Sequence, residues 1–249
     1  MGCLLPRFIL VSITSEVCFS SNNALYKICT ISRLEAGGYH LIHKGLMMKK
    51  VILIGAQGKM GQAALTGLGN HQVITASRSG KDCDHQIDIT DENSIRAFFK
   101  KVGSFDAVVN TVGACEYENF VDMSEQQWLS TIMSKMMGQI NLVRIGQEYI
   151  NDGGSFTLIS GILNAKPIPL AIADAVTSSA IDTFAKCVAL EMPRNIRVNV
   201  VNPTVLEEAW DVYGEMMPGF QPVPGKLVGK AFERSVDGFL NGEVIFVDA

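Results

Sequence analysis

What the chain lacks narrows its function first. Lysine and arginine total 21 against 25 aspartates and glutamates, for a net charge of −4, and the basic residues form no stripe. A nucleic-acid partner is therefore not expected. No apolar run approaches the roughly 20 residues of a membrane-spanning helix, so no membrane partner is expected either. The six cysteines, at 3, 18, 29, 83, 115 and 187, include no CxxC pair and sit beside no histidine cluster. That spacing fits free thiols in a reducing, cytoplasmic compartment better than a disulfide frame or a zinc site, and no metal is expected. None of the four histidines (His40, His43, His71, His85) ends a predicted strand, so none is assigned a catalytic or metal role. Internal repeats and low-complexity linkers are missing too.

The first 46 residues lack a sustained helical or strand period, yet hold three of the six cysteines. Their apolar stretch "FILVSI" is short for a signal peptide and is soon followed by Glu16. A myristoylation motif at Gly2 wants Ser or Thr where Pro6 stands. "MMKKVILIGAQG" then runs from a methionine pair directly into an apolar strand. Residues 1–46 are expected to be a poorly ordered extension, either genuine or an upstream read-through before a natural start at Met47 or Met48. Residues 47–249 are expected to form one domain.

What is present is regular. Hydrophobic residues make up 47% of the 249 and charged ones 18%, which suits one α/β domain with a full core. "VILIG" reads as a strand buried on both faces. "KMGQAALTGLG" follows as a helix, and strands in "QVITAS", "DHQIDIT", "FDAVVNTVG", "GSFTLIS", "IRVNVVNPT" and "GEVIFVD" alternate with further helices. One of these, "SEQQWLSTIMSKMMGQINLVRIGQEYI", is predicted as a single long helix. Ser124 and Gln127 form a capping box at its start, and its apolar face runs through Leu129, Ile132, Met133, Met136, Met137 and Ile140. Alternation of this kind gives a doubly wound parallel sheet of about seven strands with helices on both faces. Ligands of such sheets bind beyond the carboxyl ends of the strands, where strand order reverses, so functional residues belong just after each strand.

The first such turn is "GAQGKMG", residues 55–61. Gly55, Gly58 and Gly61 let backbone N–H groups approach a pyrophosphate, and the following helix supplies partial positive charge. Gln57, Lys59 and Met60 lie in the same turn. About 20 residues on, where an NAD site carries an acid for the ribose hydroxyl, stand Ser77, Arg78 and Ser79. A cation between two hydroxyls accepts a ribose phosphate, so NADP(H) is expected over NAD(H); the competing reading makes Arg78 an ordinary surface arginine.

With these residues in hand, the chain from about Lys50 onward resembles the short-chain dehydrogenase/reductase family. The carriers are "GAQGKMG", Asp88 and Ile89 in "DIT", "NTVG" with Asn110 and Gly113, "IRVNVVNPT" with Pro203 and Val205 close behind, and the closing "NGEVIFVDA". The resemblance implies a Rossmann fold over 47–249, an NAD(P) cofactor, a small carbonyl or hydroxyl substrate, and a homodimer or homotetramer paired through "SKMMGQI" and "VTSSAIDTFAKCV". It also implies a tyrosine acid, a lysine four residues later, a serine after strand five and an asparagine on the long helix. Those positions correspond here to Asp174, Ser178, Gly161 and Lys135, and no Tyr-x-x-x-Lys lies nearby to restore the pair. Ser160 is one residue early, facing the other way if the pleat holds.

The replacements are read in two ways. Lys135 and Asp174 form an ion pair at the nicotinamide end, with Lys135 as electrostatic anchor or proton donor; or Lys135 snorkels from an apolar stripe and Asp174 caps the helix near Ala175. Tyr117, the one loop tyrosine expected to face the cleft, is a candidate replacement acid. Glu207, Glu208 and Trp210 lie on the segment that closes over substrate in the family, although a solvated helix start explains the glutamates equally well. Two functions follow: an NADP-dependent oxidoreductase with a non-standard site, or a catalytically inactive NADP(H)-binding sensor or regulator.

Overall fold

The computed structural model describes residues 48–248, together with the backbone of two short strands near the N-terminus, β1 (Ser15–Phe19) and β2 (Leu25–Cys29), which pair antiparallel. Otherwise the expectation for residues 1–46 lies outside the described residues. Met48 onward forms its own compact unit.

That unit is built on a seven-stranded parallel sheet ordered β5-β4-β3-β6-β7-β8-β9. The strands are β3 (Lys50–Ile54), β4 (Gln72–Ser77), β5 (His85–Gln86), β6 (Phe105–Asn110), β7 (Ile150–Ile159), β8 (Arg197–Pro203) and β9 (Val244–Val247). Val51 to Ile54 are fully buried because β3 lies inside the sheet with both faces covered. Phe98, Phe99, Phe105 and Phe156 pack with Ile181 on one face, under α2 (Glu92–Val102), α4 (Gly138–Gly146) and α5 (Ile172–Val188). Ala64, Leu68, Val228 and Phe232 fill the other face, under α1 (Lys59–Gly67) and α7 (Gly225–Asp237). Strand order reverses between β3 and β6, which opens the crevice at the carboxyl edge.

Two elements differ from the sequence prediction. The third strand shrinks to His85–Gln86; Ile87 still donates its N–H to the Ser77 carbonyl (3.0 Å), and Asp88 to Thr90 run on toward the crevice. The long helix keeps its predicted capping box but is three segments: α3 (Glu125–Thr131), a π-turn (Ile132–Met137) and α4. The wider turn shifts the helical phase, so the predicted apolar stripe is only partly the buried face: Met136 and Ile140 still pack against the core. Leu129 and Met133 are 53% and 41% exposed, whereas Thr131, Lys135, Gly138 and Gln139 are buried.

Candidate active site

Six segments reach the carboxyl edge. Gly55 adopts φ +92°, a left-handed conformation that favours glycine, and a Cβ there would also press against Val112 and sit 2.7 Å from Thr111 Oγ1. At Gly61 a Cβ would overlap the Gly55 carbonyl oxygen and lie 2.7 Å from Ala56 Cα. The turn therefore closes only with glycine, and it delivers the chain into α1. Gly58 occupies the N-cap and has no side chain to bond the first-turn N–H groups, which leaves that terminus open to an anion.

Beside the turn lies a cavity of about 220 Å³ whose wall includes Ser77, Arg78, Asp88, Ile89 and Gly113. Asp88 accepts hydrogen bonds from the Thr90 hydroxyl (2.7 Å) and N–H (2.9 Å). Those bonds, foremost the hydroxyl's, hold its carboxyl below the usual range, with Arg78 adding to the effect. Arg78 is exposed at its rim and makes no ion pair among the described residues.

A second cavity, about 390 Å³, carries Lys59, Met60, Tyr117, Lys135, Ser160, Asp174, Pro203 and Val205 on its wall. The π-turn swings Lys135 inward to an ion pair with Asp174. Lys135 is 7% and Asp174 6% exposed. The carboxylate also accepts the Ser178 hydroxyl at Oδ1 (3.0 Å) and the Tyr117 hydroxyl at Oδ2 (3.0 Å). Asp174 lies in the first turn of α5 and makes no N-cap bond, so both halves of the snorkelling-and-capping reading are set aside. Burial alone would raise Asp174; the Lys135 charge and the three donors outweigh it and hold the carboxyl below its ordinary value. Burial alone would lower Lys135, yet the Asp174 carboxylate holds the ammonium above the usual lysine value. Tyr117 keeps 40% of its surface exposed but turns its hydroxyl inward. Burial of that group and the Asp174 charge push its pKa well up. Cys115, beside the same pair, is pushed up to about 12 by burial first.

Not every predicted residue reaches a cavity wall. Gln57 bonds instead to the Asp82 carbonyl (2.7 Å), bracing the turn against the β4–β5 loop. Ser79 Oγ accepts from Lys81 N–H (3.3 Å) and packs against Ser77 Oγ. Asn110 lies beneath the floor, donating to the Val112 carbonyl (2.7 Å) and Gln139 Oε1 (3.1 Å). Gln139, missed by sequence reasoning, donates to the carbonyls of Lys135 and Ile159 (2.8 Å each) and accepts from Ile159 N–H (2.9 Å). It stitches the π-turn to the end of β7. Tyr213 also lines the larger cavity, so Tyr117 is not the only tyrosine there; the loop around 210 could have signalled it. Trp210 packs against the apolar cluster at that cavity, while Glu207 and Glu208 are exposed, the latter holding Gly225 N–H.

The residues present fit a dinucleotide. The glycine turn admits no Cβ at Gly55 or Gly61 and keeps the N-terminus of α1 free of side chain at Gly58, and the Ser160 and Thr204 hydroxyls are buried without partners at the larger cavity. Ser160 thus belongs to the cavity wall, contrary to the expectation from the pleat. Among the described residues no group of acidic, histidine and cysteine side chains could hold a metal, and no helix is long and apolar enough to cross a membrane.

Comparison with known proteins places this geometry. A family profile described as "Enoyl-(Acyl carrier protein) reductase" matches residues 62–221, more than half of the chain. The crystal structure of lin1944 from Listeria innocua is 42% identical with a TM-score of 0.78, covering 81% of this chain and 100% of that one. A small-chain dehydrogenase solved in complex with NADPH is 25% identical, TM-score 0.72, over 81% of this chain and 97% of its own. Among curated relatives, 2,3-dihydro-2,3-dihydroxybenzoate dehydrogenase of Bacillus subtilis is 28% identical over 133 residues, 51% of each chain. The chain thus spans about half the length of that relative.

Proposed function

Because the chain belongs to the short-chain dehydrogenase/reductase family of oxidoreductases, we propose that it is an NADP(H)-dependent reductase of a small carbonyl compound. The observation that carries the proposal is the buried Lys135–Asp174 pair, with Tyr117 on the same carboxylate, bordering the larger cavity. Gly55 to Gly61 and the start of α1 would hold the pyrophosphate. Arg78, Ser77, Asp88, Ile89 and Gly113 would hold the adenosine end, with Arg78 on the ribose phosphate. Pro203, Thr204, Val205 and Ser160 would border the nicotinamide. NADPH supplies a hydride to the carbonyl carbon when bound.

The protein's own share is the proton and the charge. The Lys135 ammonium stabilises negative charge growing on the substrate oxygen and gives up one proton to it, leaving a neutral amine beside Asp174. Asp174 keeps that ammonium aimed, and the Tyr117 and Ser178 hydroxyls keep Asp174 aimed. The apolar wall excludes water, which strengthens each of these charges. Exposed Leu129, Met133 and Val176 on α3, the π-turn and α5 support the homo-oligomer implied by the family resemblance.

A second reading keeps one observation in its favour. Lys135 and Tyr117 are shifted upward and Asp174 downward, all away from neutrality, as in a structural pair in a protein that binds NADP(H) without chemistry. Calorimetric titration with NADPH and NADH, followed by carbonyl-dependent NADPH oxidation, separates the readings. Turnover abolished in Lys135→Met, with NADPH affinity kept, supports the reductase. Tight NADPH binding with no turnover on any carbonyl supports the sensor, and no dinucleotide binding removes both.

A further inference from the structure

The larger cavity has one wall chemistry beyond the Lys135 corner, and it selects a substrate class. Ile162 and Leu163, from the turn after β7, face Met217 of the segment that follows β8, and all three are at least nine-tenths buried. Met60 and Met216 extend this lining. The buried charges on the wall already compensate each other. Lys135 is paired with Asp174, and Lys59 reaches Asp211 at 3.4 Å across the mouth. Buried hydroxyls without partners at this wall are those of Ser160 and Thr204, which the proposed cofactor site already uses.

We propose that the substrate is a neutral, apolar-bodied ketone or aldehyde, with its carbonyl oxygen at Lys135 and its hydrocarbon body against Leu163 and Met217. This rests on the reductase reading above and narrows it. A phosphate or carboxylate meets no free cation here. A sugar brings several hydroxyls that lose water and find few partners beyond the half-exposed Tyr213, and an unpaired buried hydroxyl is strongly penalised. A hydrocarbon body gains from burial in proportion to its area, and methionine side chains adapt to its shape. In the reaction the carbonyl is reduced to the alcohol and NADPH is oxidised to NADP⁺, with the oxygen taking its proton from Lys135.

The test reads binding and turnover separately. Protein carrying isotope-labelled methionine methyl groups is titrated, with no dinucleotide present, with cyclohexanone, acetophenone, D-xylulose and dihydroxyacetone phosphate. The ketones are expected to shift the Met60, Met216 and Met217 methyl signals saturably, while the sugar and the phosphate leave them in place. With NADPH, kcat/KM for acetophenone is expected to exceed that for D-xylulose by roughly a hundredfold, the scale of a site lacking partners for a ligand's hydroxyls. Equal or stronger response to the sugar or the phosphate overturns the inference, as does silence toward both ketones. If the ketones bind and NADPH does not, the reductase reading fails and the apolar site stands. If NADPH binds and the sugar is preferred, the reverse holds.

Discussion

Lys135→Met is the most informative single perturbation. It removes the cation but keeps the length and the apolar stem, and it leaves the Asp174 carboxylate buried with only the Ser178 and Tyr117 hydroxyls. Breaking a buried pair on one side costs about 3–5 kcal/mol, and two remaining donors place this case near the lower bound, at about 3 kcal/mol. For a domain of this size that lowers Tm by about 6–12 °C. Asp174→Asn alone strands the ammonium and is expected to cost a similar amount. The double variant removes both charges and is expected to cost about 4 kcal/mol rather than the additive value of about 6, for a coupling of about 2 kcal/mol in a double-mutant cycle from denaturant unfolding. The pH dependence follows from the shifts. Asp174 is lowered in the folded state, so its contribution is complete above the ordinary carboxylate value of 3.8 and fades as pH falls through the lowered folded value. Lys135 is raised, so its contribution is complete below 10.5 and fades as pH rises through the raised folded value. Wild type and Lys135→Met should therefore converge in strong acid and differ most around neutrality. Additive single-variant effects at neutral pH, with coupling under about 0.5 kcal/mol, would refute the pair as an energetic unit.

Three further outcomes are expected. Arg78→Ala should weaken NADPH roughly 10–100-fold by calorimetry, the worth of a charge-assisted phosphate contact, and leave NADH unchanged; equal loss for both dinucleotides would mean that Arg78 does not read the ribose phosphate. Gly61→Ala should abolish detectable dinucleotide binding, because the added methyl must displace the Gly55 carbonyl and open the turn; retained affinity would show that the turn is not the phosphate cradle. Carbonyl reduction should be nearly flat between about pH 6 and 9, because Lys135 stays loaded and Asp174 ionised throughout; a profile bending near pH 7 would point to a different acid.

The chain's own order of residues determined the alternation of strand and helix, the glycine turn and the Ser124 cap, and left two arrangements open for Lys135 and Asp174, between which the fold chose the ion pair. The three that were determined are short local patterns, whereas a lysine on one helix and an aspartate on the next pair only if the fold buries them face to face. Periodicity missed the π-turn, because the stripe Leu129, Met133, Met136 assumes a constant turn, and one widened turn sends Lys135 inside and leaves Met133 out. Only the tertiary structure decided that Tyr117 would aim its hydroxyl at Asp174, that Gln139 would tie that helix to β7, and that Tyr213 would share the cavity. These groups come from segments far apart along the chain. Their meeting is fixed by how helices seat on the sheet, and no spacing within a single segment encodes it.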